Sequence, residues 1–241
     1  MLKGDALTRA PRAIAWFFFE GNDLYDDEAF SNTLLAGPPP AEDQTPSRGG
    51  LTRSHGWRKR SFVINLVQRM RRWSDPFVPT QAPYWASLAG RGSHGQRVYF
   101  FPYEAVPWTD YEEKRWTIAR AAFEEGLTVA RDHHIELIFV YVPTKYRVFR
   151  DFVEVPKGGA MEHWKVWPLL PLRFQAFCTE LAVHCVDLTR SLRDAVAHGR
   201  LTYPLNDTHW SPEGHAVAAA ALQGLLAETV EGGTAAQGPR T

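Results

Sequence analysis

The chain has 241 residues, 44% of them hydrophobic and 22% charged, enough for one sizeable α/β domain or two small ones with a buried core. Lys plus Arg and Asp plus Glu each number 27, so no global field selects a nucleic acid or a membrane surface. No apolar run reaches the roughly 18–20 residues of a membrane helix. The start MLKGDALTRAPRA also lacks the apolar stretch of a signal peptide.

Taken in chain order, the first element is AIAWFFF, residues 13–19, a continuous apolar run of the kind buried on both faces of a parallel sheet. It stops at Glu20-Gly21-Asn22-Asp23. A short helix is expected over 27–35, followed by the polar loop AGPPPAEDQTPSRGG. A helix over about 56–73 carries Phe62, Val63, Leu66, Val67, Met70 and Trp73 as its apolar stripe. Its opposite face is basic. Residues 13–47 hold seven acidic side chains and no basic one, and residues 48–73 hold eight basic and no acidic one. Neighbouring stretches of opposite sign are expected to neutralise each other, with the basic face solvated. YWASLAGRGSHGQRVYFFPY reads as two strands around a Gly-rich turn.

Residues 108–132 predict a helix, with Trp116, Ala119, Phe123, Leu127 and Ala130 at i, i+3, i+4 spacing. IELIFVYV, 135–142, is a second buried strand, ended by Pro143. A helix over 169–183, a strand at HCVD (184–187) and a helix over 188–198 follow. The last helix, 211–228, starts Ser-Pro-Glu: a capping hydroxyl, a proline in the first turn and an acid at the positive end of the dipole. GGTAAQGPRT is expected to be disordered. Cys178 and Cys185 are expected as buried free thiols, which leaves the redox compartment open.

Alternation of strand and helix predicts an α/β fold, a three-layer α/β/α domain with a parallel sheet covered on both faces. Sites in such folds form beyond the carboxyl ends of the strands. The Gly21-Asn22-Asp23 turn lies at one such end, and the loop LNDTHW before the last helix can reach the same edge. Within it His209 is a candidate general base and Asp207 a carboxylate that orients it, the base half of a serine-hydrolase triad. Asn22 is a candidate oxyanion donor. A helix-capping role for Asp207 and His209, and a plain turn at Asn22, are the alternatives.

In those two blocks, FFFEGNDLYD and LNDTHWSPEGH, and in IFVYVPTKYRVF between them, the sequence resembles the SGNH (GDSL-type) serine esterases and acetyltransferases. The resemblance runs from Ala13 to about Glu228. It implies a flavodoxin-like parallel sheet, an acyl-enzyme reaction on acyl esters, acetyl esters first, and no cofactor or metal. It implies His209 as base and acid, Asp207 as its orienter and Asn22 as oxyanion donor, with Gly21, Asp23 and Trp210 lining the substrate. The family has one residue between Gly and Asn, where here Gly21 directly precedes Asn22. Its usual Asp-x-x-His is here Asp207-Thr208-His209 followed by Trp210, a variant similar to the alginate O-acetyltransferase branch, which acts on extracellular polysaccharide. Partners implied are an acyl ester and a polysaccharide, with no nucleic acid and no membrane segment in this chain. Relatives are often extracytoplasmic, and this chain shows no address of its own.

The family's nucleophile is a Gly-Asp-Ser serine placed before the strand that carries Gly-Asn-Asp. Here KGDAL has alanine at position 6, and only twelve residues precede residue 13. The expectation is therefore a single domain over 1–229 without its first two strands and its nucleophile block, an insertion at about 36–96, and a disordered tail at 230–241. AIAWFFF is then expected at the sheet edge. Ser54 and Ser93, each followed by a histidine, sit in polar Gly-rich loops and are discounted as nucleophiles. The rival class is a non-catalytic carbohydrate-associated module. A metal-dependent hydrolase using Asp207, His209 and His215 comes third.

Overall fold

A computed structural model describes residues 11–24, 84–89 and 95–235, the side chains only as far as residue 227. The elements expected over 27–35 and 56–73, KGDAL, Ser54 and Ser93 lie outside the described residues, as does most of the 36–96 insertion. Strands β1 (Ala13–Phe19), β4 (Glu136–Val142) and β6 (His184–Asp187) form a parallel sheet in the order β1-β4-β6. Ala13 pairs with Glu136 and Ile138 with His184, so all three strands end at one edge. Strands β2 (Trp85–Leu88), β3 (Arg97–Tyr99) and β5 (Val153–Glu154) form a second, antiparallel sheet, β3-β2-β5. The hairpin therefore pairs with β5 and not with β1.

The helices are α1 (Asp110–Asp132), α2 (Lys145–Phe149), α3 (Leu169–Leu181), α4 (Thr189–Ala197) and α5 (Pro212–Ala235). Helix α1 begins on a capping box in which Thr109 accepts from Tyr111 N and Glu112 reaches back to Thr109 N at 2.9 Å. Helix α5 runs to Ala235, beyond the expected end at 228 and into the stretch expected as disordered. The glycines at 232 and 233 weaken a helix by about 1 kcal/mol each relative to alanine but do not forbid it.

Period-2 alternation in β4 sends its residues to two cores, which is why a run without polar interruptions is needed there. Leu137, Phe139 and Tyr141 face α1 and α3 in an aromatic layer. Phe123 stands at its centre, with ring centroids 5.4 Å from Trp16, 5.3 Å from Phe18 and 5.2 Å from Phe139, mostly edge-on or tilted. Ile138, Val140 and Val142 face α2, α4, α5 and the hairpin, whose Ala86, Leu88, Val98 and Phe100 are buried in the same cluster. The end of the expected insertion is thus part of the main core.

Two expectations are corrected. Strand β1 is not buried on both faces: only Phe18 is fully buried and Phe17 is 43% exposed. Among the described residues β1 has a strand on one side only, so its cover is halved, as expected of an edge strand. Cys178 and Cys185 are not free thiols but form a disulfide, with Cα atoms 6.1 Å apart. The physical reason lies between them: Ala182 takes a left-handed conformation at the end of α3, φ 49°, and Val183 N bonds back to Cys178 O at 3.1 Å. That reversal brings β6 back along the last turn of the helix.

Candidate active site

The carboxyl edge of the parallel sheet carries two turns. After β1, Glu20 N continues the ladder to Val142 O at 2.9 Å, and the chain turns at Gly21-Asn22-Asp23. The Asp23 carboxylate closes this turn by accepting from Phe19 N at 2.7 Å. Gly21 is buried, and a Cβ there would lie 2.5 Å from the Phe19 ring and 2.9 Å from the Tyr103 ring, so only glycine fits without displacement. Asn22 is exposed at the tip. After β4 comes Pro143-Thr144, then α2, whose N-cap Thr144 accepts from Arg147 N.

Glu20 ties the two turns together. Its carboxylate accepts from Thr144 N at 2.8 Å and from Arg147 Nε at 2.9 and 2.8 Å, with a further close contact from the other guanidinium nitrogen. The pair is nearly buried, 10% and 12% exposed, and Arg147 also donates to Trp167 O. A buried fork of this kind fixes the backbone next to Gly21.

The loop 204–210 reaches the same edge. Tyr203 Oη donates to Pro143 O at 2.7 Å and accepts from Trp210 Nε1 at 3.0 Å. Gly214 packs α5 against Thr202, whose carbonyl lies 2.2 Å from where a Cβ would be. Within the loop, Asp207 Oδ1 accepts from His209 N at 2.9 Å and stands 2.7 Å from His209 Nδ1. The first bond is the local aspartate turn that lets two residues separated by one face each other. The His209 N–H and then its imidazole hold the Asp207 carboxyl below its usual range. The imidazole is 90% exposed, so Nε2 is open to solvent. With Nδ1–H donated to the carboxylate, Nε2 is left with the lone pair that a general base needs.

Tyr103 connects the two halves. Its ring abuts Gly21, and its hydroxyl bonds Thr208 Oγ1 at 3.0 Å. Burial pushes its phenol pKa up. Below it, Glu104 accepts from Tyr146 N at 2.6 Å and Phe101 N at 2.8 Å, and burial pushes its carboxyl up to about 7. Lys145 is fully buried, and its Nζ donates to Tyr99 O and Leu205 O at 2.9 Å and to Asp207 O at 3.1 Å.

Of the residues expected at the site, Asp207 and His209 are brought together, and Gly21, Asn22 and Asp23 stand at the same sheet edge. Trp210 spends its indole N–H on Tyr203 and packs its ring against Phe17 and His215, at 6.2 and 5.5 Å between centroids. It lines an apolar groove with Ala15, Ala218 and Leu222. Ser211 Oγ is taken up by Leu201 O and Gly214 N, as an N-cap hydroxyl. Among the described residues no serine hydroxyl bonds His209, and no three His, Cys, Asp or Glu side chains gather as metal ligands. Sequence reasoning missed Glu20, Tyr103, Glu104, Lys145 and Arg147. For Glu20, Lys145 and Arg147 the available signal was a charged residue inside an otherwise apolar stretch, at FFFEGN and VPTKYRVF.

A parallel sheet with an Asp–His pair and a Gly-Asn turn at its carboxyl edge defines an SGNH hydrolase-like α/β domain. Residues 95–240, more than half of the chain, match the family described as "SGNH hydrolase-like domain, acetyltransferase AlgX", and the chain belongs to that family. The matched segment contains Asp207, His209 and Trp210 but not β1 or the Gly21–Asp23 turn. Among solved structures, the O-acetyltransferase domain of Pseudomonas putida AlgJ is 25% identical over 63% of this chain and 49% of that one, with a TM-score of 0.44. The chain spans about half the length of that relative. No curated protein matches.

Proposed function

We propose that this chain supplies the base half of a serine acyl-transfer site whose reaction is O-acetyl transfer to, or acetyl-ester hydrolysis on, a carbohydrate. The observation that carries the reading is the 2.7 Å contact between Asp207 Oδ1 and His209 Nδ1, at the carboxyl edge of the sheet, with Nε2 open to solvent. Membership of an acetyltransferase family supports the choice of acetyl over other acyl groups. In this reading His209 Nε2 takes the proton of a serine hydroxyl as its oxygen attacks the acetyl carbonyl. The carboxamide of Asn22 stabilises the oxyanion. Collapse forms the acetyl-serine ester, and the proton passes from Nε2 to the departing alkoxide. A carbohydrate hydroxyl, or water, then gives its proton to Nε2 and attacks the ester carbonyl; the bond to the serine oxygen breaks, and Nε2 returns the proton to that oxygen, which regenerates the serine and the free base. The serine lies outside the described residues, and no cofactor enters the chemistry.

The test uses p-nitrophenyl acetate as donor, with nitrophenolate release followed optically and acetylation of a polysaccharide acceptor by mass spectrometry. It is run on this chain and on the longest open reading frame that encodes it. The chain alone is expected near background. In a form that turns over, His209→Ala is expected to lower kcat/KM by about 10²–10⁴-fold, the range for loss of a general base. Turnover unaffected by His209→Ala sinks the proposal. Turnover of the chain alone that this variant abolishes restores one of the discounted serines as nucleophile.

A further inference from the structure

The Asp207–His209 pair lies in water, with side chains 53% and 90% exposed, so its own hydrogen bond is screened and holds the loop only weakly. What holds the loop lies underneath. Lys145 Nζ has three N–H donors, and all three go to backbone carbonyls: Tyr99 in the hairpin, and Leu205 and Asp207 in the loop. Its side chain is fully buried, and among the described residues it forms no ion pair with a carboxylate. A buried ammonium without a direct counter-charge is an expensive way to fill a core, and an apolar side chain of the same length would serve packing alone better.

Its neighbour in α2 does the corresponding work for the other turn. Residues two apart on a helix point to different sides. Lys145 reaches the Asp207 carbonyl, while Arg147 and the N-cap Thr144 hold Glu20, next to Gly21. One short helix therefore braces both turns of the candidate site.

We propose that Lys145 is a positioning residue: it fixes the backbone at Asp207 so that the Asp207 carboxylate stays on His209 Nδ1 and the Nε2 lone pair stays available. The proposal rests on the reading of His209 as a base, and it acts through Asp207 without touching substrate. Burial pulls the lysine pKa down to about 8, against the raising effect of Glu104 and Asp207. Even so, the ammonium form prevails at neutral pH and keeps all three donors.

The readout is the tautomer of the neutral His209 ring, from ¹⁵N chemical shifts of histidine-labelled chain, which needs no turnover. The wild-type ring is expected mainly in the Nδ1–H form. Lys145→Met keeps the length and removes all donors; with the amide spectrum of the core retained, its ring is expected to move to the Nε2–H form. Lys145→Gln, with two donors for three carbonyls, is expected to fall between the two. A folded Lys145→Met chain with an unchanged tautomer overturns the proposal. If neither variant folds, the lysine serves the core as a whole, and the proposal is equally overturned. A wild-type ring already in the Nε2–H form is a different failure: it removes the reading of His209 as base.

Discussion

The two turns at the carboxyl edge of the sheet are built by opposite means. Gly21-Asn22 hangs from a buried ion pair, Glu20 with Arg147, 12% and 10% exposed. Asp207–His209 is a solvent-exposed pair whose fixed points are backbone carbonyls bonded from below. On the proposed reading His209 exchanges protons with substrate and water and has to be reachable, so it cannot be stabilised by burial. A main-chain turn that has to keep one shape can be held by a desolvated fork. The two turns should therefore differ in what a substitution costs: the first depends for its shape on the buried fork, and the second should give up little stability when its exposed pair is changed.

Three measurements sharpen or break that contrast. Arg147→Met removes one partner of the buried pair and leaves the Glu20 carboxylate without its cation. It is expected to lower stability by about 3–5 kcal/mol in urea unfolding. A loss below about 1 kcal/mol would mean that the turn does not depend on the fork.

The second measurement concerns pH. Glu104 is held at about 7 in the folded chain against an ordinary 4.5, burial being the main cause. Between those values the folded chain keeps a proton that the unfolded chain has lost, so stability falls as pH rises from about 4.5 to about 7. Lys145 acts in the other direction. Between about 8 and its ordinary 10.5 the unfolded chain holds the proton that the folded chain has released, so stability recovers. A stability minimum near pH 7–8 is expected from these two groups. Glu104→Gln should flatten the acid-side slope, worth on the order of 2–3 kcal/mol. An unchanged slope assigns it to other groups.

The smallest effect is expected at the exposed pair. His209→Ala should change unfolding stability by no more than about 0.5 kcal/mol, as surface substitutions do. A loss of 2 kcal/mol or more would make His209 a structural residue and erase the contrast between the turns.

How far the sequence reaches is clearest in two strands of equal length. AIAWFFF and IELIFVYV both read as buried strands, and each forms a strand of seven residues. In the structure β4 is buried along nearly its whole length, while β1 exposes Phe17 and is covered mainly at Phe18. Apolarity reports that a segment prefers burial; which strand lies at the centre is fixed by pairing partners distant in sequence. The same limit hid the disulfide, because Cys178 and Cys185 meet only when Ala182 reverses the chain. It also hid Lys145 and Arg147, whose bonds run to residues far away in the sequence.

The sequence by itself determined the periodic elements from Thr109 to Glu228, the parallel α/β class, and the Asp207–His209 pair, since an aspartate turn needs only neighbouring residues. It also placed the Gly21-Asn22 turn at the end of a strand. Tertiary structure alone decided the Cys178–Cys185 pairing, which side chains of β1 are covered, and that one helix of five residues braces both turns. The reason is the range of the interactions: turns and helical stripes are set within a few residues. The bonds from Arg147 to Glu20 and from Lys145 to Asp207 span 127 and 62 positions and exist only once the sheet has assembled.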